Sequence, residues 1–277
     1  MIRYFRLVTE YLLNKKTFLI LGLTTLIPVL LIGIFLRPME ELFVLSDLSL
    51  VKDVMSFFDI YWRTTGFNQS PLMTFVSLFV LLCMITVVVA TVDRHMRIGD
   101  LKFRNPFRRI NENFWVVFPI LAILIIVKEV FDILALLFAY LWASVSAGVM
   151  AIALITVSYL LVYGLFCVVV ALCIMWIPHT LNTGLSAPKT FSASIKLVRG
   201  KTFVIAIMVG LVALPIAVLN YFGIYLGGVL NMATSAITYF VLTIFLVTLM
   251  YVVYYDTTEL EREDLNKVSI WHKTKVR

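Results

Sequence analysis

Histidine and cysteine are scarce, at three residues each in a chain of 277, and that scarcity removes several kinds of chemistry at once. His95, His179 and His272 fall in three separate hydrophilic segments, so no HxxxH or HExxH pair exists to hold a metal. Cys83, Cys167 and Cys173 sit inside apolar runs without CxxC spacing, which excludes a zinc or redox motif and leaves them as small buried hydrophobes. No metal site and no cofactor are expected. Charged residues are sparse too, 14% of the chain against 62% hydrophobic, with a mean hydropathy of +1.01. A soluble domain has too little interior to absorb so many large apolar side chains. The prediction is an all-α fold, a polytopic membrane helical bundle, with residues 1–277 forming one integral membrane domain.

The formal charge of +7 does not point to nucleic acid. A nucleic-acid domain gathers its Lys and Arg on one solvated face, whereas these lie in short segments between apolar runs. Six runs are long enough to cross a hydrocarbon core of about 30 Å as helices, near 17–36, 71–92, 114–138, 150–176, 202–221 and 233–255. The 16-residue polar lead and the lack of an AxA-like site mark the first as a retained span rather than a signal peptide. Pro71 suits the first turn of the second, and Pro215 is expected to kink the fifth. Asn220 and Asn231 flank Gly223, Gly227 and Gly228. That grouping favours a tight outer loop over a GxxxG helix contact.

Lys and Arg collect on the cytoplasmic side of a membrane. With the N-terminus inside and six spans, the inner segments 1–16, 93–113, 177–201 and 256–277 hold 19 of the 23 basic residues. The chain therefore reads as a multi-pass cell-membrane protein with both termini cytoplasmic. Aromatic belts are placed at Trp115, Trp176 and Tyr251 on the inner side and at Trp62, Trp142 and Tyr221 on the outer.

Three segments between spans have helical amphipathicity. In the lead, Tyr4, Leu7, Val8 and Tyr11 share a face opposed to Arg3, Arg6 and Glu10; in 188–199, Phe191, Ile195 and Val198 do, with Lys189, Lys196 and Arg199 directed to anionic headgroups. Arg108 and Arg109 are assigned the same anchoring role before the third span. Residues 47–63 read as a parked interfacial helix. Lys16-Thr17-Phe18 opens the first span and Lys201-Thr202-Phe203 the fifth, so three helical hairpins with cytoplasmic elbow helices are expected on one plan.

Catalytic patterns fail on inspection. Gly200-Lys201-Thr202 resembles the end of a P-loop, but Ile195 stands where the first glycine is required and no strand precedes it. Glu40-Glu41 adjoins Pro38 with no histidine in a later span, and the spans' Ser and Thr have no buried His or Lys base beside them. The one polar site inside a span is Lys128, Glu129 and Asp132. Counting about 1.5 Å per residue from Trp115 puts Lys128 about 20 Å into the core. Lys128 and Asp132 are i,i+4 and share a face, leaving Glu129 about 100° around the helix without a cation of its own. Two readings stand: a snorkelling ion pair at the interface, or a functional intramembrane site.

SASIKLVRGKTFVIAIMVG and YYDTTELERE, both in the last third, resemble the bacterial membrane domain found fused to glycerophosphoryl diester phosphodiesterases and in related stand-alone integral membrane proteins. The phosphodiesterase barrel with its metal ligands is absent from this sequence, so the resemblance implies no hydrolase activity. It implies a six-span helical bundle that organises lipids or a membrane protein partner. The expected function is accordingly non-enzymatic, a scaffold or accessory module in the lipid bilayer. The alternative is a small transporter or lipid-handling permease using Lys128, Glu129 and Asp132.

Overall fold

The computed structural model describes residues 2–36, 57–58, 61, 70–99, 106–145, 148–260, 262 and 264, with residues 106–112, 224 and 225 as backbone only. All regular structure among them is helical. In chain order the helices are α1 (Ile2–Leu13), α2 (Lys15–Phe35), α3 (Pro71–Ile98), α4 (Pro106–Val145), α5 (Val149–Cys173), α6 (Trp176–Thr183), α7 (Ala187–Val198), α8 (Thr202–Leu226) and α9 (Gly228–Thr258). Of these, α2, α3, α8, α9 and the run through α5 and α6 are long and apolar enough to cross a membrane. A multi-pass membrane protein is compatible with those five. The 40-residue α4, which carries Lys128, Glu129 and Asp132, is not among them.

Local sequence sets the boundaries. Asn14 separates α1 from α2 and its side chain accepts from the Lys16 backbone N–H at 3.2 Å, the usual device for an orphan donor at a helix start. Pro71 opens α3 in its first turn, as expected, and Gly99 in the left-handed region closes it. The junction of α8 and α9 is tighter than the predicted loop. Gly227 and Gly228 both have positive φ, 65° and 51°, so the chain reverses on two glycines. The helix-contact reading of Gly223 holds as well: a Cβ there would stand 2.2 Å from Thr234 Oγ1 across the turn. The fourth apolar run, expected to continue to residue 176, is interrupted beyond Cys173. Residues 174–175 form a turn and Pro178 falls in the first turn of α6, where its missing N–H costs nothing.

The long helices make a ring: α2 packs on α3, α3 on α4, α4 on α5, α5 on α8, α8 on α9, and α9 returns to α2 while also touching α3 across the middle. α9 is the most enclosed, with Ile244, Phe245, Val247 and all of 249–255 buried. On its outward side α2 presents Phe18, Leu19, Leu23, Leu26, Ile27 and Leu30. An apolar stripe of that length calls for lipid rather than water. Thr25, Thr86, Thr91 and Thr180 turn their hydroxyls onto the carbonyl four residues back, at 2.7–2.8 Å, which satisfies each hydroxyl donor within its own helix.

The elbows are built into the protein. Tyr4, Val8 and Tyr11 of α1 are buried against α9 and α2, so that face is filled by protein rather than by the membrane surface. On α7 the covered face is Thr190, Ser194 and Val198, with Phe191 at its margin against Trp176, ring centroids 4.6 Å apart. The expected set of Phe191, Ile195 and Val198 was displaced because small hydroxyl residues let α7 approach α6 closely: Thr180 and Thr190 Oγ1 atoms are 2.7 Å apart. The inner aromatic belt is likewise revised. Trp115 is exposed, but Trp176 is buried with its Nε1–H donating to the Ala187 carbonyl, and Tyr251 has no exposed surface. The interfacial helix predicted at 47–63 lies outside the described residues except Phe57, Phe58 and Tyr61.

Where α2 meets α9, a Cβ on Gly33 would come within 2.9 Å of Ala236 N, Ala236 Cβ and the Met232 carbonyl, whereas Gly22 of the same helix has nothing within 4 Å. Backbone atoms cannot swing aside. Gly33→Ala is therefore expected to destabilise the protein by about 1–3 kcal/mol through overpacking, and Gly22→Ala to stabilise it by about 0.5–1 kcal/mol through helix propensity. Thermal unfolding in detergent checks the pair, and equal shifts would contradict the close approach.

Candidate functional site

Lys128, Glu129 and Asp132 are brought together on α4 as their spacing implies. The Lys128 ammonium donates to the Asp132 carboxylate and stands 3.7 Å from Glu129 Oε1. Glu129, expected to lack a cation in its own segment, thus shares Lys128. One cation serves two carboxylates, and the ionised cluster carries a net −1.

Its orientation follows from helical phase. Val117, Leu121, Ala135, Leu136, Ala139 and Ala143 are buried, and Ile123, Ile126, Val130, Leu134, Leu137 and Leu141 are exposed. At 100° per residue, Lys128 lies seven residues from both Leu121 and Ala135, and Asp132 seven from Ala139. The ion pair is on the stripe of α4 that faces the bundle. The side chains nevertheless retain 40% exposure at Lys128, 44% at Glu129 and 20% at Asp132. Tyr61 belongs to the same neighbourhood: its hydroxyl is pushed up first by burial, then by Glu129 and Asp132, with Lys128 opposing. Phe57 and Tyr61 also pack on the Leu136–Ala139–Ala143–Ile155 cluster between α4 and α5.

A second polar constellation, missed in the sequence, ties one end of the bundle. Asp256 near the end of α9 accepts from Arg3 Nη2 at 2.7 Å, the Tyr4 hydroxyl at 2.5 Å and Lys201 Nζ at 3.2 Å. Lys201 also donates to Thr257 Oγ1 at 3.2 Å and lies over the Tyr4 ring. Beside it, the Tyr11 hydroxyl and His95 Nδ1 are 2.9 Å apart, joining α1 to α3, and Arg97 pairs with Asp93 at 3.1 Å. Burial pushes the Tyr4 hydroxyl up and its bond to Asp256 adds to that. Burial works to lower the Lys201 ammonium, but its bonds to Tyr4 and Asp256 outweigh this and hold it above the usual lysine range. The starts of α2 and α8 and the ends of α3 and α9 therefore share one end.

Among the anchoring residues, Lys189, Lys196 and Arg199 are all exposed on or just after α7. The side chains of Arg108 and Arg109 lie outside the described residues. Nothing in local spacing links Arg3 and Tyr4 to Asp256 across some 250 positions. The available signal was the isolated polar residue at each edge of an apolar run, together with the Tyr-Tyr-Asp of the closing segment. Among the described residues, no group of three or more His, Cys, Asp or Glu is placed to hold a metal.

No family model matches the chain, and no curated protein or solved structure matches it.

The charge geometry sets a stability test. Lys128→Ala leaves Asp132 on the inward stripe without its cation, and a loss of about 1–2 kcal/mol is expected. That is below the range for fully buried pairs because Lys128 is partly exposed. Lys128→Ala combined with Asp132→Ala should recover much of it. A double variant no more stable in detergent than Lys128→Ala contradicts the pairing.

Proposed function

We propose that the protein is a six-span membrane permease-like or lipid-handling protein whose polar site is Lys128, Glu129 and Asp132. The observation that carries this is the position of an accessible cluster of net −1 on the stripe of α4 that faces the other helices. An isolated charge in hydrocarbon costs about 2.5–3.5 kcal/mol on insertion scales, and intramembrane charges of this kind mark sites for ligands or ions. In this reading α4 is the additional span, its apolar run from Phe114 to Val127 being completed by the paired charges. The six spans form three hairpins, α2 with α3, α4 with α5 and α8 with α9, whose first members each carry an internal proline, Pro28, Pro119 and Pro215. Both termini are cytoplasmic, and the exposed Lys189, Lys196 and Arg199 meet anionic headgroups there, at about 1 kcal/mol each.

A second reading, a non-enzymatic scaffold for a membrane partner or for lipids, is favoured by the packing of α1, α6 and α7 into a platform at one end of the bundle. In that case the α4 cluster is structural. The similarity of the closing segment to the phosphodiesterase-associated membrane domain agrees with either.

Two measurements test the first reading. Reporter fusions at positions 55, 145 and 225 are expected outside, and two inside results would remove the topology. In proteoliposomes, Glu129→Gln is expected to abolish scrambling of fluorescent phospholipids or solute uptake while leaving thermal stability nearly unchanged, since Glu129 adds only a 3.7 Å contact to the pair. Wild-type protein without either activity would leave the scaffold reading.

A further inference from the structure

The Asp256 constellation holds two cations against one carboxylate. Both Asp256 oxygens are engaged, Oδ1 by Arg3 and Oδ2 by Tyr4 and Lys201. The assembly keeps a net +1 whose donors are not exhausted. Arg3 commits a terminal nitrogen of its five-donor guanidinium to Asp256 and its side chain is 76% exposed. The Lys201 side chain is 37% exposed.

Among the described residues, exposed apolar side chains accompany this charge. Helix α1 has three faces. Tyr4, Val8 and Tyr11 are buried; Arg3, Arg6 and Glu10 are exposed and charged; Ile2, Phe5 and Leu13 are exposed and apolar. The third set recurs every three or eight residues and so forms its own stripe. Phe5 lies against Phe245 of α9, ring centroids 6.4 Å apart, and the exposed Phe203 begins the apolar run of α8 two residues after Lys201. An exposed phenylalanine thus follows each cation by two residues, and α2 adds its own exposed apolar stripe from Phe18 and Leu19. Water on that stripe would be unfavourable and a free small anion would leave it uncovered. An amphiphile with a negative head covers both.

We propose that Arg3 and Lys201, set against Asp256 at the junction of α1, α8 and α9, form a site for the phosphate of an anionic phospholipid, with its chains along Phe5 and Phe203. The inference rests on the membrane-spanning reading above. The phosphate oxygens accept the remaining N–H donors of Arg3, a charge-assisted arrangement suited to the planar guanidinium, while Lys201, whose N–H groups go to Asp256, Thr257 and Tyr4, contributes its positive charge. The Lys201 bonds to Tyr4 and Asp256 preorganise that ammonium before lipid arrives.

The test uses the full chain in bilayer nanodiscs of phosphatidylglycerol with phosphatidylcholine, followed by native mass spectrometry of the lipids retained on release. Phosphatidylglycerol is expected to be retained over phosphatidylcholine, with retention falling roughly fivefold for each cation removed in Arg3→Gln and Lys201→Gln. Arg3→Lys should restore part of it. Because Arg3 is exposed, Arg3→Gln is expected to fold, and its unfolding midpoint in phosphatidylcholine alone checks that. Equal retention of the two lipids, or retention unchanged in both glutamine variants, overturns the site. Inorganic phosphate stabilising the detergent-purified protein as much as phosphatidylglycerol does would also overturn it, by making the site one for free anions. A chain that fails to enter the bilayer removes the membrane reading and the lipid site together, whereas insertion without headgroup preference removes only the site.

Discussion

The carboxylate of Asp256 is where the two ends of the chain are joined. Three donors from α1 and from the residue preceding α8 converge on it. A carboxylate there without donors would cost several kcal/mol. With them it fixes where α1 lies, where α8 starts and where α9 ends. The neighbouring Tyr11–His95 contact extends the same tie to α3. The ring of long helices is consequently registered at one end by this group of polar bonds and elsewhere by close packing with a few interhelical hydrogen bonds, among them Trp142 to Ser158 and Asn220 to Thr238.

Such packing works because the contact helices are rich in small and hydroxyl-bearing residues. In lipid there is little hydrophobic drive for one helix to prefer another, and association depends on close approach and on interhelical hydrogen bonds. Gly33 against Ala236, Gly223 against Thr234, and the Asn220 amide donating to the Thr238 hydroxyl are such contacts. All three involve α9, the helix with the most neighbours. The threonines that bond their own helix carbonyls place hydroxyls in the apolar layers without requiring a partner.

Much of the fold was legible because hydropathy in this chain is blunt. Uncharged runs broken by basic segments predict all-helical structure and the approximate places of α2, α3, α5, α8 and α9. Pro71, Gly99 and the Gly227–Gly228 reversal act through local backbone geometry that a sequence exposes directly. The elbows were legible as helices but not in what covers them. Periodicity identifies an apolar face and is silent on whether protein or lipid fills it, which is why α1 was placed on the surface and Val8 is found without exposure. On α7, Thr190 and Ser194 were overlooked because a hydroxyl pattern optimised for close helix contact reads as polar. The i,i+4 pairing of Lys128 with Asp132 follows from spacing. Its inward direction does not, since it depends on the phase of α4 relative to α3 and α5. The Asp256 knot is wholly long-range and had no local spacing to reveal it.

The two lysine-centred clusters have opposite charge balance. Lys201 and Arg3 share one carboxylate, whereas Lys128 is shared by two. With groups ionised, the first carries +1 and the second −1. The first is fastened to four hydroxyl or carboxyl oxygens from α1 and α9 and is held in place by them; the second lies on a single helix, within one turn. In a low-dielectric layer such charges act over longer distances than in water, so an anionic group is drawn toward the junction of α1, α8 and α9 and a cationic one toward α4. A change that neutralises Lys201 or Arg3 disturbs the tie among helices as well as the local potential. At Glu129 a change alters the potential while the Lys128–Asp132 bond stays, so the charge of that carboxylate is separable from the pair beside it.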